Sequence, residues 1–250
     1  MSSEEQQLLL KVKGARIVRK RQSGSTFELL VPAFYLKRGE MACVVGESGC
    51  GKSTLLDFLA LVLRPQEIES FFIFPNNSQQ INIGELWNKD NDKDISQVRR
   101  RYLGYVLQTG GLLPFLTLRE NFYLPIRLNK LKGLSKRIEF FSKILGIYRF
   151  LDEKPQSLSG GQRQRAAILR ALIHKPLVVF ADEPTAAVDR KRALDIINQF
   201  KKMAREEMAS VVMVTHDRHL VKDVADRWFG FKLDYPSKTL ICSTCYEISS

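Results

Sequence analysis

The sequence predicts an α/β fold built on a central, mostly parallel sheet, and three observations carry that prediction. Met41–Val45, Leu177–Ala181 and Val211–Val214 are short apolar runs without alternation, the pattern of strands covered on both faces. Helical patterns lie between them, so strand and helix alternate along the chain. The first of these strands also runs directly into a glycine-rich turn and then into an apolar pattern suited to a helix.

Phe27 to Leu36 alternates weakly and reads as a strand, and Lys37-Arg38-Gly39-Glu40 as the turn before Met41–Val45. After the glycine turn, Leu55, Leu56, Phe58 and Leu59 fit one face of a helix. Residues 64 to 98 read as a small antiparallel excursion, with an aromatic run at Phe71–Phe74, a polar turn at Pro75–Gln80 and an exposed charged stretch at Asn88–Asp94. From Leu116 to Phe150 the pattern is helical, with breaks expected at Pro125 and around Lys132–Ser135. A helix is expected from about Gln162 through Leu172, and another from Arg190 to Met208.

The chain has 250 residues, 44% of them hydrophobic and 26% charged, which places it among globular proteins able to bury a sizeable core and excludes disorder as its main state. No apolar stretch approaches the roughly 20 residues of a membrane-spanning helix. The polar, acidic start lacks the pattern of a secretory signal, so the expectation is a soluble, cytosolic protein. Four cysteines give little guidance: Cys242 and Cys245 have a zinc-like spacing, but no second Cys or His pair lies nearby, and they read as two thiols in a strand. The net charge of +12 is compatible with nucleic acid, an anionic membrane surface or phosphorylated ligands.

The glycine turn is Gly46-Glu47-Ser48-Gly49-Cys50-Gly51-Lys52-Ser53-Thr54, which contains G-x-x-x-x-G-K-[ST]. Its glycines let successive backbone N–H groups wrap phosphate oxygens at a helix N-terminus, Lys52 adds a positive charge, and the Ser53 hydroxyl is placed to ligand Mg²⁺. Such a loop needs a metal-holding carboxylate to hydrolyse anything. Asp182-Glu183 ends the strand Leu177–Ala181, and a turn at Pro184 would let both carboxylates serve one site. Asp182 then holds Mg²⁺ through water while Glu183 polarises the attacking water.

With these residues in place the chain resembles the ATP-binding cassette (ABC) ATPases. Leu158-Ser159-Gly160-Gly161-Gln162 is identical to that family's signature sequence, and Gln108 (the Q-loop), Ala186-Ala-Val-Asp189 (the D-loop) and His216 stand in the family's order. The resemblance implies a P-loop cassette with a mostly parallel core sheet, a small antiparallel β subdomain and an α-helical subdomain at about residues 109–160, all within a single domain of residues 1–250. It implies ATP and Mg²⁺ as ligands, with Gln108 also contacting the metal and His216 the γ-phosphate. It further implies a head-to-tail homodimer, in which Ser159, Gly160, Gly161 and Gln162 close on the ATP held by the partner's phosphate loop, and it counts Asp189 among the nucleotide-binding residues. The sequence departs from the family at Arg19, which stands where an aromatic residue usually stacks on adenine. A guanidinium also stacks on a base, so either Arg19 does so or base discrimination is weak.

The stretch Gln108 to Asn121, with Leu-Leu-Pro-Phe-Leu-Thr at its centre, is similar to the macrolide-exporter, lipoprotein-releasing and cell-division branch of the family. That likeness implies a separate integral membrane permease, export or mechanical work on an extracytoplasmic substrate, and a place on the cytoplasmic face of the inner membrane. Through the permease it extends to a periplasmic adaptor and an outer-membrane channel. The competing classes are a soluble assembly ATPase of the iron–sulfur scaffold type and a nucleic-acid ATPase. The second lacks support, because no sustained heptad run separates the phosphate loop from the signature, and no nucleic-acid partner is expected. From Asn121 to Phe150 seven Lys and Arg face Glu139 alone, a net +6 assigned to the membrane side. The apolar run Leu112–Leu118 is the expected docking loop.

Overall fold

The structure is a computed structural model that describes residues 7–20, 24–186 and 190–249. Its strands are β1 (Leu8–Lys20), β2 (Thr26–Lys37), β3 (Met41–Val45), β4 (Ser70–Asn76), β5 (Gln79–Asn82), β6 (Leu103–Val106), β7 (Val178–Asp182), β8 (Ser210–Thr215), β9 (Arg227–Ser237) and β10 (Leu240–Ile248). They join in one sheet in the order β5-β4-β1-β2-β10-β9-β3-β8-β7-β6. From β9 to β6 every pairing is parallel, while β1, β2, β4 and β5 form an antiparallel flank. β9 reverses into β10, which then runs parallel to β2 and joins the two halves.

The unalternating apolar runs explain themselves here. Val178 and Phe180 of β7 enter the core on one face of the sheet, whereas Val179 and Ala181 enter the core on the other. In β8, Val212 and Val214 divide from Val211 and Met213 in the same way. A strand buried on both faces has no polar side to alternate with. α1 (Lys52–Leu59) covers one face, and α6 (Gly160–Leu172) and α7 (Arg190–Glu206) cover the other.

Three sequence expectations change. Residues 83 to 102 are not part of an antiparallel excursion: only β4 and β5 form a hairpin, followed by helices α2 (Ile83–Asn88) and α3 (Asp92–Tyr102). Their start signals are Asn82 and Asn91, whose side chains accept from the backbone N–H groups of Glu85 and Asp94. Pro125 does not break its helix, because α4 (Leu118–Leu128) continues through it and buries Phe122 and Ile126 on either side. Pro125 leaves the Asn121 carbonyl without its helical donor, and the burial of Phe122 and Ile126 outweighs that missing bond. Arg137 at the start of α5 (Ser135–Ile144) is no free surface charge: it pairs with Glu207 and donates to the carbonyl oxygens of Leu172 and Ile173 at 3.1 Å each.

Leu118 is fully buried and Leu112 packs on the core, so the exposed apolar part of that loop contracts to Phe115, 67% exposed. Cys242 and Cys245 point to opposite faces of β10, as residues three apart in a strand must, and both are free thiols. Among the described residues no group of three His, Cys, Asp or Glu side chains is placed to hold a metal.

The edge strand β6 owes its seat to Gly104, where a Cβ would run into the carbonyl oxygen of Ala171 and lie 3.3 Å from Pro176. Gly104→Ala must therefore push α6 away from the sheet, and a loss of about 1–3 kcal/mol is expected in urea unfolding. An unchanged midpoint would show that the helix end yields freely.

Candidate active site

The C-terminal ends of β3, β7 and β8 lie side by side, since Val45 pairs with Thr215 and Asp182 with Val214. Whatever follows each strand is thereby delivered to one edge of the sheet. After β3 comes the glycine loop. Gly49 and Gly51 have φ of +81° and +108°, a region that side chains disfavour, and a Cβ on Gly51 would also meet the Phe27 ring at 2.9 Å. No side chain caps α1, whose first N–H groups face the cavity as an anion site. Lys52 is largely buried and folds back so that Nζ donates to the carbonyl oxygens of Gly46 and Glu47 at 2.8 Å each.

The cavity above this loop has a volume of about 490 Å³ and is lined by Ser48, Gly49, Gly51, Lys52, Ser53 and Thr54, together with Gln108, Asp182 and Glu183. Asp182 is half-buried and accepts a hydrogen bond from Ser53. Burial pushes its carboxyl above the usual carboxylate range, and the Ser53 bond partly offsets this. The turn that brings both acids to the site is made by Glu183 itself, at φ +43°, with its N–H donating to Val214 O at 3.0 Å. Pro184 follows rather than forms it. Glu183 Oε2 lies 3.3 Å from Nδ1 of His216, which sits just beyond β8 in an adjoining cavity of about 160 Å³ shared with Glu183.

Gln108 follows β6 and reaches the main cavity from an exposed loop. The next turn, Gly110-Gly111, is anchored by Arg170 of α6, which donates to the Gly111 and Gly110 carbonyl oxygens. At the head of the same helix Ser159 is the N-cap in a full capping box: Gln162 N–H donates to Ser159 Oγ at 3.3 Å, and Ser159 N–H to Gln162 Oε1 at 2.8 Å. Ser159, Gly160, Gly161 and Gln162 are not among the residues lining the cavity of their own chain. Asp189 lies outside the described residues.

Arg19 does line the cavity, with Nη1 3.5 Å from Thr54 Oγ1. Beside it is an aromatic that counting along the chain misses. Phe27, the cross-strand partner of Arg19 on β2, also lines the cavity. Lys20 is a further lining residue without a sequence signal. Cys50 differs from its loop neighbours: it is buried beneath them, its Sγ lies 2.6 Å from where a Cβ on Gly46 would sit, and burial raises its thiol pKa. Fully buried Ser243 of β10 donates to the Cys50 carbonyl oxygen at 2.5 Å, propping the glycine loop from behind. Nothing in the local sequence marks Ser243, whose role depends on β10 lying next to β2.

A family model described as ABC transporter matches residues 31–186. The chain is 36% identical over 184 residues to the bacitracin export ATP-binding protein BceA of Halalkalibacterium halodurans, covering 73% of this chain and 69% of that protein. It is 39% identical over 189 residues to the lipoprotein-releasing system ATP-binding protein LolD of Aquifex aeolicus, covering 75% and 80%. Among solved structures it resembles the dimeric cassette MJ0796, with a TM-score of 0.73 at 32% identity over 89% of this chain and 94% of that one. MJ0796 comes from Methanocaldococcus jannaschii.

Removing the prop tests the site's construction. Ser243→Ala leaves a buried carbonyl without its donor, worth about 1–2 kcal/mol, and frees the loop without touching a lining residue. The expected result is a KM for ATP raised by roughly tenfold with kcat within about twofold, restored by Ser243→Thr. An unaltered KM for Ser243→Ala would show that the loop needs no support from β10.

Proposed function

The chain belongs to the ABC transporter family, and from that premise we propose that this ATPase subunit works as a head-to-tail homodimer driving a separate integral membrane permease in export or mechanical work on an extracytoplasmic substrate. The observation that carries the reading is Glu183, turned off the end of β7 to share one cavity with Lys52, Ser53 and Asp182 while paired to His216. The α1 N-terminus and Lys52 bind the triphosphate and offset its charge. Ser53, Asp182 and Gln108 offer a hydroxyl, a carboxylate and an amide oxygen in the lining of that cavity, a donor set that would hold Mg²⁺. Bound there, the metal supplies charge for the transferring phosphoryl oxygens. Glu183 accepts a proton from the attacking water, and His216 holds that carboxylate in place through Nδ1.

The dimer is supported by the separation within one chain. An exposed capped helix N-terminus with two glycines is a second anion site, and it stands apart from the cavity that holds the first. The likeness to a dimeric cassette points the same way. A permease partner is supported by Phe115, which stands exposed on the loop between Gln108 and α4. The identity to lipoprotein-releasing and bacitracin-export subunits favours a partner and a peripheral membrane location of their kind.

Glu183→Gln keeps the shape of the site and removes its base, so kcat is expected to fall by about 10²-fold or more. With ATP and Mg²⁺ it should elute from size exclusion as a nucleotide-filled dimer, whereas the parent chain returns to monomer as it hydrolyses. Hydrolysis at the parental rate would remove the role assigned to Glu183. At the base end, Arg19 offers a planar guanidinium and Phe27 is buried beside it, neither of them a group committed to adenine, so GTP should be hydrolysed within roughly tenfold of the ATP rate. A GTP rate hundreds of times lower would refute that reading of the two residues.

A further inference from the structure

The basic charge concentrates at a corner that the linear sequence does not display. The side-chain amide of Asn129, at the end of α4, donates to the Arg100 carbonyl oxygen at 3.0 Å, which ties the last turn of α3 to the α4–α5 connection. Two cationic segments widely separated along the chain thus become neighbours. Arg100 and Arg101 come from α3, Arg127 from the last turn of α4, and Lys130 and Lys132 from the connection, all of them exposed. The acids of α3, Asp92 and Asp94, sit in its first turn at the far end of the helix. Glu139 is the lone acid between residues 121 and 150.

Two leucines stand among these cations. Leu128 is 51% exposed and Leu131 39%, on a turn that Lys130 enters with φ +54° and Gly133 leaves with φ +73°. The turn is not loose, since Leu131 N–H donates to Ile126 O at 3.0 Å and Lys130 N–H to Arg127 O at 3.0 Å. A fixed turn that holds leucines outward gains nothing in water.

We infer that this corner is a contact surface for an anionic phospholipid membrane. Each lysine or arginine near an anionic bilayer surface attracts headgroups without needing a shaped cavity, because lipids rearrange around it. The leucines select the lipid over other anions: between headgroups they reach acyl chain, whereas a nucleic-acid backbone offers phosphate alone. The surface uses none of the residues of the nucleotide cavity, so the inference stands apart from the catalytic reading and needs no permease.

The test uses the full chain with vesicles of phosphatidylcholine alone or with about 30% phosphatidylglycerol, read by co-sedimentation across a salt series. Binding should be at least about tenfold stronger to the anionic vesicles, weaken with salt, and fall by about tenfold or more in Arg100→Glu with Lys130→Glu. Leu128→Ser with Leu131→Ser should weaken binding at every salt concentration. ATP hydrolysis in solution and the thermal midpoint should not change in either variant, which separates lost contact from lost fold and from failure of the nucleotide site. Equal binding to both vesicle types would overturn the proposal. So would binding indifferent to the leucines, or a duplex oligonucleotide that binds as tightly as the anionic vesicles, the first pointing to an acidic protein surface and the second to nucleic acid.

Discussion

The structure depends on the in-register parallel pairing of β3, β8 and β7. Each strand is buried on both faces, so each residue's side is fixed by the core it enters, and a slip by one would send Val178 and Phe180 into the wrong layer. That constraint sets the site. Val45 is level with Thr215 and Asp182 with Val214 beside it, and the phosphate loop, His216 and Glu183 begin where the strands stop. Catalytic geometry is inherited here from hydrophobic register, which is how residues far apart in the chain are held together.

A loop that presents backbone N–H groups to an anion has no regular partners of its own and must be braced. Both braces come from the antiparallel half and the C-terminal hairpin rather than from the parallel core. Phe27 of β2 lies against Gly51 from one side. Ser243 of β10 takes the Cys50 carbonyl, with Phe231 of β9 at 3.1 Å from the Cβ position of Gly46. The hairpin is thus part of the nucleotide site although it contributes no lining residue. Paired on one side with β9 and on the other with β2, β10 is seated where Ser243 lies under the loop.

The fold class and the ligand chemistry were legible in the sequence because both rest on local pattern. Unalternating runs reveal strands covered twice, and the glycine spacing reveals the loop whatever surrounds it. What stayed hidden was what only pairing creates. Phe27 is eight residues from Arg19 in the chain but opposite it across β1 and β2, and counting along the sequence passes over it. Asn82 and Asn91 are ordinary polar residues until the helices they cap form. Pro125 misleads because a propensity rule cannot weigh Phe122 and Ile126 pulling the helix onto the core. Arg137 reads as one more surface charge until Glu207, seventy residues on, closes over it.

Glu183 concentrates the compromise between fold and chemistry. A glutamate at φ +43° is strained, and glycine or asparagine would rest there more comfortably. Two bonds hold it against that strain: its N–H donates to Val214 O, continuing the β7–β8 ladder one step past the strand, and its carboxylate meets His216. In an extended conformation the side chain would alternate away from Asp182 to the opposite face of the sheet. The left-handed turn cancels that alternation, and two adjacent carboxylates come to face one cavity. They then meet different surroundings: Asp182 is half-buried with its pKa raised by desolvation, against Ser53, while Glu183 stands beside an exposed histidine. Distinct environments for neighbouring acids would let one hold the metal and the other the water in the proposed reaction, and a single residue's backbone angle brings both to one cavity.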